Sequence, residues 1–238
     1  MDNLSDLKIS GVGRMGGGKF RDVKISGKGE IDGDIEAQTV QISGMGKING
    51  KTIAERISVS GMGTVSGSVE CKSISNSGSL MIEGSLNADE IRVSGSMTVK
   101  DGVKSRYIRC SGLLNSGAGI EAEVFRSRGE FKIKGLLNAN DVDVIFGWHS
   151  FANEIGGEEI RIRHSHYMLS FIFSFFGKID RLEADLIEGN NIMVEYTEVK
   201  TIRGNNILIG DNCRVDLVEY SGKLGISPKA IVKNRVKV

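Results

Sequence analysis

Seven glycines stand seventeen residues apart: Gly27, Gly44, Gly61, Gly78, Gly95, Gly112 and Gly129. The frame around them recurs as VKISGKGEIDGDIEAQT, VQISGMGKINGKTIAER and ISVSGMGTVSGSVECKS. A fixed short period overrides ordinary fold reasoning, because a repeat that cannot bury its apolar face alone must stack on its neighbours. It also excludes a helix, since no 3.6-residue stripe survives this load of glycine.

With the glycine at zero, position −4 holds Val23, Val40, Ile57, Ile74, Ile91, Ile108 and Phe125. Position −2 runs Ile25, Ile42, Val59, Asn76, Val93, Cys110, Ser127, and position +4 runs Ile31, Ile48, Val65, Ile82, Val99, Ser116, Ile133. Position +8 is Ile35, Thr52, Val69, Leu86, Val103, Ile120 and Leu137, and position +10 is small: Ala37, Ala54, Cys71, Ala88, Ser105, Ala122, Ala139. Every offset is even, which is the strand period, with Lys, Glu, Asp, Gln and Ser between. Alternation repeating every seventeen residues describes one coil of a single-stranded β-solenoid, an all-β fold of three short strands per coil. Glycines at zero and at +6 suit the corners, where the backbone needs φ > 0 or close approach.

The regular repeat occupies residues 7–145, an irregular aromatic-rich insertion 146–177, and shorter coils of about 15–17 residues 178–238. In the last region Gly189-Asn190-Asn191-Ile192 recurs as Gly204-Asn205-Asn206-Ile207, and asparagine suits both αL corners and side-chain ladders. Trp148 and the Gly156-Gly157 pair do not thread into the repeat, which predicts a loop or an expanded coil. In the insertion, Tyr167, Leu169, Phe171, Phe173 and Phe175 share one face, and Met168, Ser170, Ile172, Ser174 and Phe176 the other. That run is too short to cross a bilayer as a helix. It reads as a buried strand or flap, with an exposed patch for a membrane or partner, through Phe171, Phe173 and Phe176, as the sharper alternative.

Both ends read as uncovered coils. Leu7 and Ile9 at one end, and Val232, Val236 and Val238 at the other, are the candidate polymer-end contacts. An open strand edge is a template for further pairing. Thirty-one basic and thirty acidic residues give a net charge of +1, so nothing points to nucleic acid. Cys71, Cys110 and Cys213 are an odd set, two of them at inward offsets, which predicts reduced thiols in a cytoplasmic protein. The first ten residues have no apolar signal segment.

No catalytic constellation stands out. His149 and His166 lie one repeat apart, and His164 shares a strand face with His166, yet no acidic or cysteine ligand recurs nearby. A structural role for the histidines outweighs a metal site. The strand triplets of left-handed β-helix acyltransferases total eighteen rather than seventeen, and no histidine lies in the regular repeats to act as base. Gly16-Gly17-Gly18 lacks the Lys-Ser/Thr and helix of a phosphate loop. The expectation is a non-enzyme without cofactor, metal or small-molecule substrate.

The tandem KISGKGEIDGDIEA and QISGMGKINGKTIA resemble the bactofilin family of polymer-forming cytoskeletal proteins, and the tail from GKIDRLEADLIEGNN to CRVDLVEYSG resembles longer bactofilin-like proteins of bacilli. The resemblance implies a right-handed triangular β-helix that assembles end to end into filaments without nucleotide. It implies a cytoplasmic scaffold, peripheral to the inner face of the membrane, serving cell shape, polarity or motility. Its partners would be itself, with a related paralogue and the membrane surface as further candidates. The alternative is a monomeric or dimeric solenoid scaffold that docks a partner through residues 167–176.

Overall fold

A computed structural model describes residues 4–146, 149–165 and 181–238. Among them there is no helix, and the strands pair in parallel as a β-solenoid. The chain divides into two compact units, residues 1–118 and 119–238.

In the first unit the seventeen-residue step is nearly invariant. Lys28 pairs with Met45, Met45 with Met62, Met62 with Ser79, Ser79 with Ser96 and Ser96 with Leu113. A second line runs Ile35, Thr52, Val69, Leu86, Val103. The first coil is one residue short: Leu7 pairs with Val23 and Met15 with Ile31, and a register shift between Gly16 and Gly18 restores the seventeen-residue step. The expected inward columns are buried, apart from the half-buried Cys71 and, in the second unit, Ala122.

Each coil turns three corners. Two are the expected glycine corners. The third is a pair of successive outward residues, as at Glu55-Arg56 within the strand Thr52–Val59. The glycines at zero are required by close approach rather than by φ. A Cβ on Gly61 would stand 2.0 Å from the carbonyl oxygen of Gly44, and one on Gly44 2.1 Å from that of Gly27. Met62 N donates to Gly44 O at 2.8 Å, so this carbonyl cannot turn away without breaking the ladder. At +6, Gly33 alone of its column takes a left-handed φ, 105°.

Position +2 is a sixth core column. It holds Gly29, Gly46 and Gly63, then Leu80, Met97 and Leu114, and in the second unit Phe131. Across the glycine corner it faces position −2, and in most coils the two exchange size; Val93 with Met97, both buried, is the exception. Ile25, Ile42 and Val59 accompany the glycines, whereas Asn76, Cys110 and Ser127 accompany Leu80, Leu114 and Phe131. A Cβ on Gly46 would meet Ile42 Cγ2 at 2.9 Å and Ile25 Cδ1 at 3.1 Å. Conserving corner volume keeps a close-packed interior free of voids and clashes. The small polar partners turn to the corner backbone: Asn76 Nδ2 donates to Ser96 O at 2.8 Å, and Ser127 Oγ to Gly129 O at 3.2 Å.

The second unit keeps the inward columns but varies the step. Phe125 pairs with Val142 at seventeen residues, Val142 with Ile160 at eighteen, Ile160 with Ile192 at thirty-two, and Ile192 with Ile207 at fifteen. The long step spans the segment 166–180. Ser165 N donates to Phe146 O at 2.8 Å before it, and Ser150 N to Arg181 O at 3.3 Å after it. Gly156 and Gly157 lie within the strand Ser150–His164, which pairs with Glu130–Phe146 across a register shift. Here the coil is expanded; Trp148 lies outside the described residues.

Candidate assembly surfaces

The strand Leu7–Ile9 is paired on one side, with Val23–Ile25, and its Leu7 and Ile9 are buried. The following strand, Val12–Ile25, exposes two apolar side chains. Val12 is 87% exposed, and Met15, in register with the fully buried Ile31, is 50% exposed. At the other limit of the described chain, Ile231–Lys237 pairs with Arg214–Tyr220. Val232 is half-buried against the register of buried Val215. A corner at Lys233-Asn234 then reverses the alternation, as at Glu55-Arg56. Val236 therefore stands beside outward Glu219, and Val236 and Val238 are 45% and 73% exposed. The residues in register with buried Val218 and half-buried Tyr220 are Arg235 and Lys237. Simple alternation through this strand sees Val236 and misses Arg235 and Lys237.

Outward positions carry ladders between coils. In the first unit Lys72 Nζ lies 2.8 Å from Glu55, and Lys100 Nζ 3.4 Å from Glu83, each one coil step away. In the second unit Lys200 meets Asp185 and Lys233 meets Asp216, both at 2.7 Å. Exposed pairs add little stability, but they penalise slipped registers that would align like charges. The expected asparagine ladder is also present. Asn191 Nδ2 donates to Glu159, Asn206 Nδ2 to Asn191 Oδ1 at 2.9 Å, and Lys223 N to Asn206 Oδ1 at 3.2 Å. Asp143 is clamped by Arg163 and by Arg128 at 3.3 Å, with 16% of its side chain exposed. Burial pushes its pKa up, but the hydrogen bond and charge of Arg163, with the charge of Arg128, outweigh this and hold it below the usual carboxylate value.

His164 sits edge-on to Phe146, ring centroids 5.5 Å apart, and stacks on Tyr196 at 4.3 Å. Tyr196 holds a φ of 48°, a costly conformation for a bulky residue. His149 Nε2 lies 3.8 Å from Glu183, whereas His166 and Phe171, Phe173 and Phe176 fall outside the described residues. The three cysteines are free. Burial pushes the thiol of Cys71 up to about 12 and that of Cys213 up to about 11, which makes both poor nucleophiles. Among the described residues, no group of three or more His, Cys, Asp and Glu side chains gathers to hold a metal ion. Among the described residues no helix is long and apolar enough to cross a membrane.

Comparison with known proteins gives a family likeness. Residues 5–87 match the bactofilin family, described as polymer-forming cytoskeletal. The bactofilin match thus covers the first five coils and leaves the variable steps of the second unit outside it. Two relatives from Bacillus subtilis (strain 168) are similar over a longer stretch. The uncharacterized protein YhbE is 37% identical over 108 residues, 45% of this chain and 45% of that protein. The uncharacterized protein YhbF is 32% identical over 106 residues, 44% of this chain and 42% of that protein. The chain thus matches less than half the length of either relative. No solved structure matches.

Proposed function

We propose that this protein is a structural cytoskeletal scaffold that assembles end to end into filaments without nucleotide. The observation that carries the reading is Met15. It occupies an inward column whose members in the next coils, Ile31 and Ile48, are fully buried, yet it is half exposed, and among the described residues its part of the strand, Val12 to Gly16, pairs only with Lys28 to Asp32. A second molecule stacked on this coil would extend the same backbone ladder and cover the same side chain. Leu7 and Ile9 belong to that coil, and Val232, Val236 and Val238 to the corresponding coil of the second unit. A filament role in cell shape, polarity or motility, a paralogue as co-polymer, and a position at the inner face of the membrane are part of this proposal, with the family likeness as their sole support.

Electron microscopy and sedimentation of the purified protein test this reading. Filaments are expected, with Met15→Glu giving short species that keep the wild-type melting temperature. A wild type that stays monomeric across a wide concentration range overturns it. Salt discriminates the joints. A Met15-side joint is driven by burial and should resist salt. A joint of two Arg235-bearing coils sets like charges against each other, so salt should lengthen filaments built on it.

A further inference from the structure

The first and last described coils have the same internal spacing. Leu7 and Ile9 stand at positions −4 and −2 of the first coil, and Met15, Gly18 and Phe20 at +4, +8 and +10, in register with Val23, Ile25, Ile31, Ile35 and Ala37. In the last coil the same positions fall to Leu224, Ile226, Val232, Arg235 and Lys237, in register with Ile207, Ile209, Val215, Val218 and Tyr220. Residues 7–20 therefore align with 224–237 without a gap. A regular coil does not fit in this way: the step from +4 to +8 takes three residues in both end coils and four from Ile31 to Ile35. Among the described residues, 7–9 and 12–20 pair only with the second coil, and Leu224–Ile226 and Ile231–Lys237 only with the coil before them.

We propose that copies of this chain join head to tail, the last coil of one against the first coil of the next, so that the filament is polar. The inference rests on the end-to-end reading above and goes beyond it by naming the two coils that meet. Charge separates the possible joints. Residues 223–238 hold five basic side chains and no acidic one, and Arg235 and Lys237 take inward positions. Two last coils set face to face would bring these charges together with nothing to neutralise them. In the head-to-tail alignment Lys8, Arg14 and Lys19 fall opposite Gly225, Ile231 and Val236, and Asp6 falls opposite Lys223, so no basic residue meets another. Val232 then covers the half-exposed Met15. Arg235 meets Gly18, where a Cβ would find nothing nearer than the Phe20 ring at 3.7 Å, so the long side chain has room. Lys237 meets the half-buried Phe20, whose ring accepts an aliphatic stem and an ammonium. Backbone direction points the same way. A two-fold joint reverses the sense in which one coil runs over the other, so its strands would be antiparallel. The head-to-tail joint alone continues the parallel ladder found within the chain.

Disulfide trapping tests the joint. Lys19 and Val236 share one aligned position, and both are exposed, so Lys19→Cys and Val236→Cys are compatible with folding. In a head-to-tail joint their Cα atoms would lie about 4.8 Å apart, within reach of a disulfide. The two full-length single variants, their mixture and the double variant are oxidised with copper phenanthroline and run on a non-reducing gel. Wild type controls for Cys71, Cys110 and Cys213. The double variant should give a ladder of covalent dimer, trimer and longer species. The mixture should give dimer, and each single variant several times less dimer than the mixture. Sedimentation of the same samples keeps the two readings apart. If they sediment as filaments but no link forms between positions 19 and 236, or if a single variant cross-links as well as the mixture, this proposal fails while end-to-end assembly stands. If nothing sediments and nothing cross-links, both fail.

Discussion

The two units keep the same rule and apply it with different freedom. In the first, coil after coil advances by seventeen residues, and the Ser-Gly corner is so tight that each glycine rests on the carbonyl of the one below. In the second, steps of fifteen, eighteen and thirty-two residues still set Ile160, Ile192 and Ile207 one above another. The inward column is what the fold conserves, and coil length is free wherever the chain is outside it. A tight corner forbids extra residues, because adding one would lift a whole coil off its neighbour. Beyond His164 the register resumes at Leu182, in line with Ser150.

The sharpest way to break that contrast is a methyl group. In Gly61→Ala the new Cβ would stand 2.0 Å from Gly44 O and 2.5 Å from Ser43 O, both backbone atoms held by the ladder. The coil must shift, and a loss of about 3 kcal/mol or more is expected, at the severe end for single substitutions. Gly156→Ala in the second unit meets only the side-chain ends Asn138 Oδ1 at 3.3 Å and Leu136 Cδ1 at 3.6 Å. There the change should stay within about 0.5 kcal/mol. Urea titration of both variants checks the comparison. Equal losses would mean that the Ser-Gly corner has slack.

Corner volume offers the next test. Gly63→Leu puts a side chain where a Cβ already lies 3.0 Å from Leu80 Cδ1 and 3.4 Å from Val59 Cγ1. Overpacking of this kind costs about 1–3 kcal/mol. Adding Val59→Ser reproduces the Ser127 and Phe131 arrangement of the second unit, in which Phe131 packs edge-on to Phe125 at 5.5 Å. The pair should be less destabilised than the sum of its single variants by about 1 kcal/mol, read from a double-mutant cycle. Additive losses would separate the −2 and +2 columns.

Five of the six core columns can be read from the sequence, because Val, Ile and Leu recur at four fixed even offsets and small residues at a fifth. The sixth hides behind Gly29, Gly46 and Gly63, which show no apolar signal. Its trace is the exchange itself: as position −2 falls from Ile42 to Asn76, position +2 grows from Gly46 to Leu80. Third corners are equally quiet. Two successive polar residues look like ordinary surface, which is why Arg235 rather than Val236 takes the inward register of the last described strand. The exposure of Met45 and Met62 is invisible to periodicity, since they occupy outward positions that elsewhere hold Lys28 and Ser79. The Arg–Asp clamp joins residues fifteen and twenty apart, spacings set by variable steps that no single period describes.

That clamp gives a pH signature confined to the second unit. The folded-state pKa of Asp143 lies below its ordinary value of 3.8. Its contribution is therefore complete above that value and is lost as pH falls through the lower, folded-state pKa. Arg163→Gln removes one arm of the clamp and raises the folded pKa toward normal. Thermal melts between pH 6 and pH 2 should show a smaller stabilisation at neutral pH in the variant, with the two curves converging in acid. Parallel curves at all pH values would show that Arg163 acts by packing alone.

Two buried threonines give the smallest effect and the cleanest opposition. Thr52 and Thr197 are each 1% exposed, one in each unit; Thr52 stands between Ile35 and Val69 in an inward column, and Thr197 stands in register with Leu182. Thr197 Oγ1 donates to Glu195 O at 2.9 Å across its own corner. Thr52 Oγ1 is buried without a hydrogen-bond partner. A buried hydroxyl with no partner has lost its water and gained nothing, whereas a bonded one recovers what burial takes away. Thr52 lies between Ile35 and Val69 in its column, so valine fits its shape and matches its neighbours. Thr52→Val should therefore stabilise the protein by about 1 kcal/mol, and Thr197→Val should destabilise it by a similar amount. Both substitutions replace the same hydroxyl by the same methyl in a parallel strand, so propensity and transfer terms largely cancel between them. The difference in unfolding midpoint isolates the hydrogen bond. If both variants gain, the Glu195 contact carries no net energy; if both lose, Thr52 has a partner that its static surroundings do not show.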